Sequence, residues 1–225
     1  MSLNGQARCD PETPVQLERD RIAVDGHAVV SNVKVYLMMN KPRGIVTTAS
    51  DEKGRDTVYT VLNRAIQSGK ARLQSSLWIA PVGRLDKASE GLLLLTNDSE
   101  WGARVTAPET HLEKTYHVQI GKIAGQSLPE LLMAAVRTDD GEALRANRAR
   151  VLRTGQKNCW LEIVLDEGKN RQIRRMLDAL GIEVLRLVRV AIGPLPLGDL
   201  AKGDVRRLTT SEKQLLDRAI QGHRA

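Results

Sequence analysis

The chain has 225 residues, 41% hydrophobic and 27% charged, with a formal net charge of +7. That length suits one domain, or one domain with a small appendage, and it suffices for a substantial core. No apolar run reaches the length of a membrane span and no secretory leader pattern opens the chain; the two cysteines, Cys9 and Cys159, stand isolated, without metal spacing.

Those absences point to a cytoplasmic protein. The basic excess speaks of partners rather than of fold, and polyanions, nucleic acid first, are the natural ones. Aromatics are 3% and Phe is absent, so Leu, Val, Ile and Ala must fill the core.

Residues 4–30 read as short strands and turns, marked by Asn4-Gly5, Asp10-Pro11 and Asp25-Gly26. Val33 to Met39 reads as a strand that stops at Asn40-Lys41-Pro42, because proline cannot continue a ladder. Asp51 to Arg55 is a charged loop, and Val58, Val61, Leu62 and Ile66 give helical spacing to residues 58–67. Residues 69–76 connect this helix to Trp78–Val82, which leads into a loop. The run Leu92-Leu93-Leu94-Leu95-Thr96 is a buried strand, and Trp101 to Val105 a short helix behind Asp98-Ser99.

Thr115 to Ile120 alternates, with Tyr116, Val118 and Ile120 on one face. Leu128 to Val136 reads as a helix, and Trp160 to Asp166 as a strand that aligns Leu161, Ile163 and Leu165. Asn170 to Leu180 is the clearest helix: Ile173, Met176, Leu177 and Leu180 form its stripe, Arg171, Arg174, Arg175 and Asp178 lie on another side, and Gly181 stops it. A strand returns at Val184 to Val190. Strands and helices mix without a regular βαβ repeat, so the fold class is α+β. The expected domains are 1–32, 33–212 and a helical tail, 213–225.

The stretch Gly83-Arg84-Leu85-Asp86-Lys87-Ala88-Ser89-Glu90-Gly91 carries most of the chemical information. Its glycines permit a tight backbone, and its aspartate follows an arginine in a loop anchored by core residues. That is a place for a nucleophile or base, or else a surface turn whose aspartate caps local backbone. Lys169 to Arg175 holds four basic residues in seven, followed by Arg186, Arg189, Arg206 and Arg207. Such a cluster fits RNA contact as well as a solvated helix face.

Four segments, taken in order, resemble the RsuA-type family of ribosomal RNA pseudouridine synthases. They are Met39-Asn40-Lys41-Pro42-Arg43-Gly44, Arg84-Leu85-Asp86 with the leucines beyond it, Glu113-Lys114-Thr115-Tyr116, and Glu167 to Leu177. The resemblance spans about residues 35 to 210. It implies a pseudouridine synthase fold, a mixed and mostly antiparallel sheet flanked by helices. It also implies that residues 1–32 are part of an αL-type RNA-binding module, the other reading being an N-terminal arm.

The same resemblance implies that Asp86 acts on the target uridine, by attacking C1′, adding to C6 or taking a proton from C2′. All three routes need a carboxylate kept ionised in a dry pocket, which a fixed arginine supports. Arg174 matches that partner, with Arg171 and Arg175 as alternatives on the same helix. Tyr116 matches the active-site tyrosine that stacks on the base. Arg84, Lys41 and Arg43 are expected at the RNA backbone, with Lys169, Arg171 and Arg175 beside them.

Isomerisation gains no electrons and loses no group, so no cofactor is expected, and no phosphate loop or dinucleotide fingerprint occurs. The expected partner is ribosomal RNA, free or within an assembling ribosome, acted on by a monomer. Asn170-Arg171-Gln172 is similar to the large-subunit branch, which favours 23S over 16S. Two other classes remain open from the residues: a non-catalytic RNA-binding protein on this fold, and a two-carboxylate or metal-dependent hydrolase using Asp86 with Glu90 or Asp98.

Overall fold

A computed structural model describes residues 1–10, 12–16, 19–28, 33–48, 54–69, 77–125 and 127–222. The expected loop at 51–55 lies partly, and the connector at 69–76 mostly, outside these residues, as do positions 29–32 and 223–225. The contacts divide the chain into two units, Met1–Lys34 and Val35–Ala225.

The first unit is a four-stranded antiparallel sheet in the order β2-β1-β3-β4, from β1 (Ser2–Leu3), β2 (Gln6–Ala7), β3 (Ile22–Val24) and β4 (His27–Ala28). Both two-residue turns, Asn4-Gly5 and Asp25-Gly26, have positive φ throughout. That geometry matches the twist of a tight hairpin, and it is why Asn-Gly and Asp-Gly stand there.

The second unit is built on a nine-stranded sheet. Its elements are β5 (Tyr36–Lys41), α1 (Val58–Gln67), β6 (Ala80–Val82), β7 (Glu90–Thr96), α2 (Ser99–Thr106), β8 (Lys114–Ile120) and α3 (Leu128–Ala134). A small hairpin, β9 (Val136–Arg137) and β10 (Ala143–Leu144), follows. Then come β11 (Arg148–Thr154), β12 (Cys159–Leu165), α4 (Gln172–Ala179), β13 (Val184–Ile192), β14 (Leu195–Pro196), β15 (Val205–Arg207) and α5 (Thr210–Gln221). The strand order is β11-β12-β8-β13-β7-β5-β15, with β14 on β13 and β6 on β7.

Every pairing in this sheet is antiparallel except that of β7 with β13, which is parallel and only two residues long. This short seam joins two halves with separate cores. Under β8, β12 and β13, residues such as Val118, Leu161 and Ile163 pack on Leu132 of α3 and on Ile173, Met176 and Leu177 of α4. In the other half Leu93 and Leu95 face α1 through Val58, Val61 and Leu62, while Leu92 and Leu94 face Trp101 of α2 and Leu216 and Ile220 of α5. All seven residues of β7 are buried, which explains an unbroken apolar run where a half-exposed strand would alternate.

The seam depends on Gly91, whose φ is +102°. A Cβ there would meet the backbone of Arg189, with its amide N only 2.8 Å away. No side chain can occupy that place while β7 and β13 stay paired.

Several boundaries differ from the sequence reading. Val35 is not in the ladder: its N–H donates to Asn97 Oδ1 at 2.7 Å and its carbonyl accepts from Thr96 Oγ1 at 2.6 Å, so side chains take the place of a partner strand. The helix expected to reach Val136 ends at Ala134, because Ala135 turns to φ 127° and Val136 opens β9. The helix expected from Asn170 starts at Gln172, with Arg171 left-handed at its N-terminus. The C-terminal helix starts at Thr210 under a Thr209–Glu212 capping box, and its Leu216 and Ile220 are core residues, so it is no loose tail. Among the described residues no helix is long and apolar enough to cross a membrane.

Gly91→Ala should be among the most damaging single-atom changes in the chain. A loss of about 3 kcal/mol is expected, the scale of a strained or overpacked buried site. Thermal unfolding measures it; an unchanged Tm would mean that β7 and β13 are not locked at this point.

Candidate functional site

The Asp86 loop is the connection of the β6–β7 hairpin. Gly83 turns it at φ +72° and Leu85 roots it in the core under α1. What shapes it further is a set of hydrogen bonds to five successive carbonyls. The Leu85 carbonyl accepts from Thr47 Oγ1 at 2.8 Å. The Asp86 carbonyl accepts from Lys41 Nζ at 3.2 Å and from the Ser89 N–H at 3.0 Å. The Lys87 carbonyl takes the Gly44 N–H at 2.7 Å. The Ala88 carbonyl takes Arg174 Nη2 at 3.1 Å, and the Ser89 carbonyl takes Lys41 Nζ at 2.9 Å. The Asp86 side chain is left half-buried above this frame.

Lys41 is therefore not at the rim, where it was expected to touch an RNA backbone. It is 0% exposed, and its ammonium serves the carbonyls of Pro42, Asp86 and Ser89. Burial lowers its pKa to about 8, against the opposing pull of Asp86 and Glu90. The neighbouring Arg43 is exposed, and its Nη1 donates to the Leu185 carbonyl at 3.3 Å, at the start of β13.

Arg174 reaches the loop from α4, so the basic partner expected for Asp86 touches the loop backbone rather than forming a close ion pair with the carboxylate. It is half-buried and its Nε has no partner. Burial and the nearby Arg171 and Arg43 lower its pKa, and Asp86 raises it. Arg174 thus stands within electrostatic reach of two other guanidiniums and of the Asp86 carboxylate. Tyr116 lies on β8, packed against the cores of both halves, including the one that holds Leu85. Cross-strand pairing runs Lys41–Gly91–Arg189–Tyr116 across the sheet, so these positions share one face.

The remaining expected contacts divide. Arg84 and Arg171 are exposed, Arg171 in the left-handed conformation that takes it off the helix face. Arg175 is bound to Asp140 at 2.6 Å and Glu142 at 2.8 Å, and Lys169 lies 3.3 Å from both Glu142 and Glu167. These two cations are committed to carboxylates.

The two carboxylates expected as hydrolytic partners of Asp86, Glu90 and Asp98, are both engaged elsewhere. Glu90 has 3% of its side chain exposed and is held by Arg186 in two bonds of 3.1 and 3.2 Å and by Lys202 at 2.5 Å. Burial alone would push its pKa up, but Arg186 and Lys202 outweigh burial and keep it below the ordinary value. Asp98 is the N-cap of α2 and accepts from Tyr36 Oη at 2.7 Å. Among the described residues no group of three or more His, Cys, Asp or Glu is placed to hold a metal ion.

Sequence reasoning missed Thr47, gave Arg189 only as one of a basic cluster, and gave Gln172 only as part of a motif, without the buried roles they take. Arg189 is 6% exposed, with Nε on the Leu92 carbonyl at 2.7 Å and Nη2 unpartnered. Gln172, also buried, fixes the start of α4 through Arg145 O and Glu167 Oε1. No pattern flags either, since Arg and Gln are ordinarily surface residues.

The site is thus a hairpin loop carrying one uncommitted carboxylate, set in basic surroundings at the seam of a mixed sheet, and comparison with known proteins gives its class as an RNA-modifying isomerase. Residues 35–179 match the RNA pseudouridylate synthase family, and the chain belongs to it. Ribosomal large subunit pseudouridine synthase B of Bacillus subtilis (strain 168) is 35% identical over 206 residues, covering 91% of this chain and 80% of that protein. An uncharacterized RNA pseudouridine synthase of Aquifex aeolicus (strain VF5) is 33% identical over 221 residues, 98% of this chain and 84% of that protein. The crystal structure of a pseudouridylate synthase superposes with a TM-score of 0.68 at 28% identity, covering 96% of this chain and 87% of that one.

Lys41→Met should strand the Ser89 carbonyl, at about 1–3 kcal/mol, and leave the Asp86 carbonyl with only the Ser89 N–H as donor. Stability and turnover should both fall. The pH dependence separates the two effects. The unfolded chain keeps this proton to about 10.5 and the folded chain releases it near 8. Between those values the folded state binds fewer protons, so the Lys41 contribution to stability rises with pH. Turnover should move the other way, falling above pH 8 as the loop loses an N–H donor. A kcat/KM profile in which Lys41→Met retains the same alkaline limb would reject Lys41 as its source.

Proposed function

We propose that the chain is a ribosomal RNA pseudouridine synthase that isomerises a uridine of the large-subunit RNA. The observation that carries the reading is the loop whose five carbonyls are fixed while its aspartate side chain is left free to act. The large-subunit target rests on the Bacillus subtilis relative and its name.

In this reaction the N1–C1′ bond breaks, uracil turns within the site, C5 bonds to C1′, the C5 proton passes to water, and N1 takes up a proton in its place. Electrons and groups are conserved within the nucleotide, so the chain's own residues are enough. Asp86 meets the flipped nucleotide at C1′, C6 or the C2′ hydrogen, the base having left the stack to reach it. Arg174, desolvated and bonded to the Ala88 carbonyl, keeps positive charge beside that carboxylate. Tyr116, on the sheet face beneath, supplies the ring on which uracil stacks, worth ~1–3 kcal/mol. Arg43, Arg84 and Arg171 are the exposed cations positioned for flanking phosphates, ahead of the carboxylate-bound Lys169 and Arg175. The enzyme acts as a monomer, on free RNA or on an assembling ribosomal particle.

The test uses unmodified 16S and 23S rRNA labelled with tritium at C5 of uracil. Wild-type protein should release tritium to water from 23S rRNA, and Asp86→Asn should release none while still binding. Release from 16S alone would move the target to the small subunit, and near-wild-type release by Asp86→Asn would remove Asp86 from the chemistry. Arg174→Ala should lower kcat by about 10²–10³, the scale of losing one electrostatic stabiliser. RNA affinity should fall steeply with salt, and Arg43→Ala or Arg171→Ala should each flatten that slope by about 0.7, one phosphate contact on a single strand.

A further inference from the structure

The same sheet has a second face, and its composition is unusual for a face that only meets water. Register places Arg153 opposite Trp160, Trp160 opposite Gln119, and Gln119 opposite Arg186, all on the face turned away from Tyr116. Trp160 is half-buried there. The Arg153 guanidinium stands 5.1 Å from its ring and the Arg186 guanidinium 5.6 Å. Beside the ring is a hollow of about 360 Å³, lined by His117, Leu152, Arg153, Trp160, Val188 and Val190.

The charge around the hollow favours an anion. Among the described residues Arg148 pairs with Glu113 and Arg150 with Glu162, Arg186 and Lys202 share Glu90, and Arg153 adds a further positive charge. Arg153 is the exposed cation that adjoins both the ring and the hollow. An indole with guanidiniums over it, next to an apolar hollow sized for a ring system, is what a nucleotide recognises: a stacking surface with cations for the phosphate beside it. A protein partner would be served by a broad apolar patch, whereas the apolar side chains here, Leu152, Val188 and Val190, line the hollow itself.

We propose that this face is a second RNA contact, at which Trp160 and Arg153 stack one unpaired base of the substrate and hold its phosphate while the target uridine meets the Asp86 loop. The inference rests on the reading that ribosomal RNA is the substrate. It adds a contact on the opposite side of the sheet from the Asp86 loop.

The experiment measures affinity for an unmodified 23S rRNA transcript by filter binding, with tritium release and Tm followed in parallel. Trp160→Ala and Arg153→Ala should each raise Kd about 5- to 150-fold, the range for one lost base stack, and Trp160→Phe should recover most of it. Tryptophan fluorescence should be quenched by short single-stranded RNA in the wild type, and that quenching should be lost in Trp160→Phe. Trp160→Ala also removes packing from β12, so Arg153→Ala, which truncates an exposed side chain, decides the matter if the first variant unfolds. Unchanged Kd in Arg153→Ala, with no quenching of the wild type and tritium release intact, would overturn the proposal and hand the face to a protein partner. No tritium release by the wild type from any rRNA would instead bring down the substrate reading, and this contact with it.

Discussion

The buried ammonium of Lys41 is the interaction on which the rest of the site depends. A charge taken out of water is costly unless every donor it carries finds an acceptor. Here the three acceptors are backbone carbonyls, two of them from the Asp86 loop. The loop thereby gains a fixed shape without using any carboxylate as the counter-ion. A salt bridge to Asp86 would have satisfied Lys41 equally well, but it would have tied up the loop's one carboxylate.

Arg174 extends the same arrangement from the other half of the sheet. Lys41 belongs to β5, whose neighbours pack under α1; Arg174 belongs to α4, which packs on β8 and β12. Both end on consecutive stretches of one loop. The site is therefore a joint between two cores, and its geometry holds only while β7 and β13 stay paired at Gly91. The cost of desolvating two cations is offset locally by carbonyl dipoles, and the positive field that remains is turned toward Asp86.

Much of this frame was legible in the residues. The leucine run of β7 and the 3.6-residue spacing of α1 gave both elements, α1 with the observed bounds. Asp98 before Ser99 marked the N-cap of α2, and Asn-Gly and Asp-Gly marked the first two hairpins. Resemblance put Asp86, Tyr116 and Arg174 in one site before any coordinates, and Arg174 does meet the Asp86 loop. What stayed hidden was burial of charge. Lys41 sits between Asn40 and Pro42 like any loop lysine, and nothing local distinguishes a cation facing phosphate from one facing carbonyls. The edge strand β11, with three arginines in seven residues, looks like a solvated segment because an edge strand protects itself with charge. Arg171 read as helical because its left-handed turn is uncommon outside glycine and asparagine.

The alternation of β7 ties the two faces of the sheet together at its first residues. Gly91 faces the Asp86 side, with Lys41 and Arg189 as its cross-strand neighbours, while Glu90 points the opposite way to Arg186 and Lys202. Ser89, one residue earlier, is held by Lys41. The end of the Asp86 loop is thus fastened on one side by an ammonium among carbonyls and on the other by a carboxylate between two cations. Arg186 also lies over Trp160, so the guanidinium that fixes Glu90 is the one an RNA base on the far face would meet. Any shift of Arg186 toward a phosphate would weaken its grip on a buried Glu90, which tolerates no unpaired charge. Lys202 is the second cation on Glu90, at 2.5 Å, and together with Arg186 it keeps that buried carboxylate ionised.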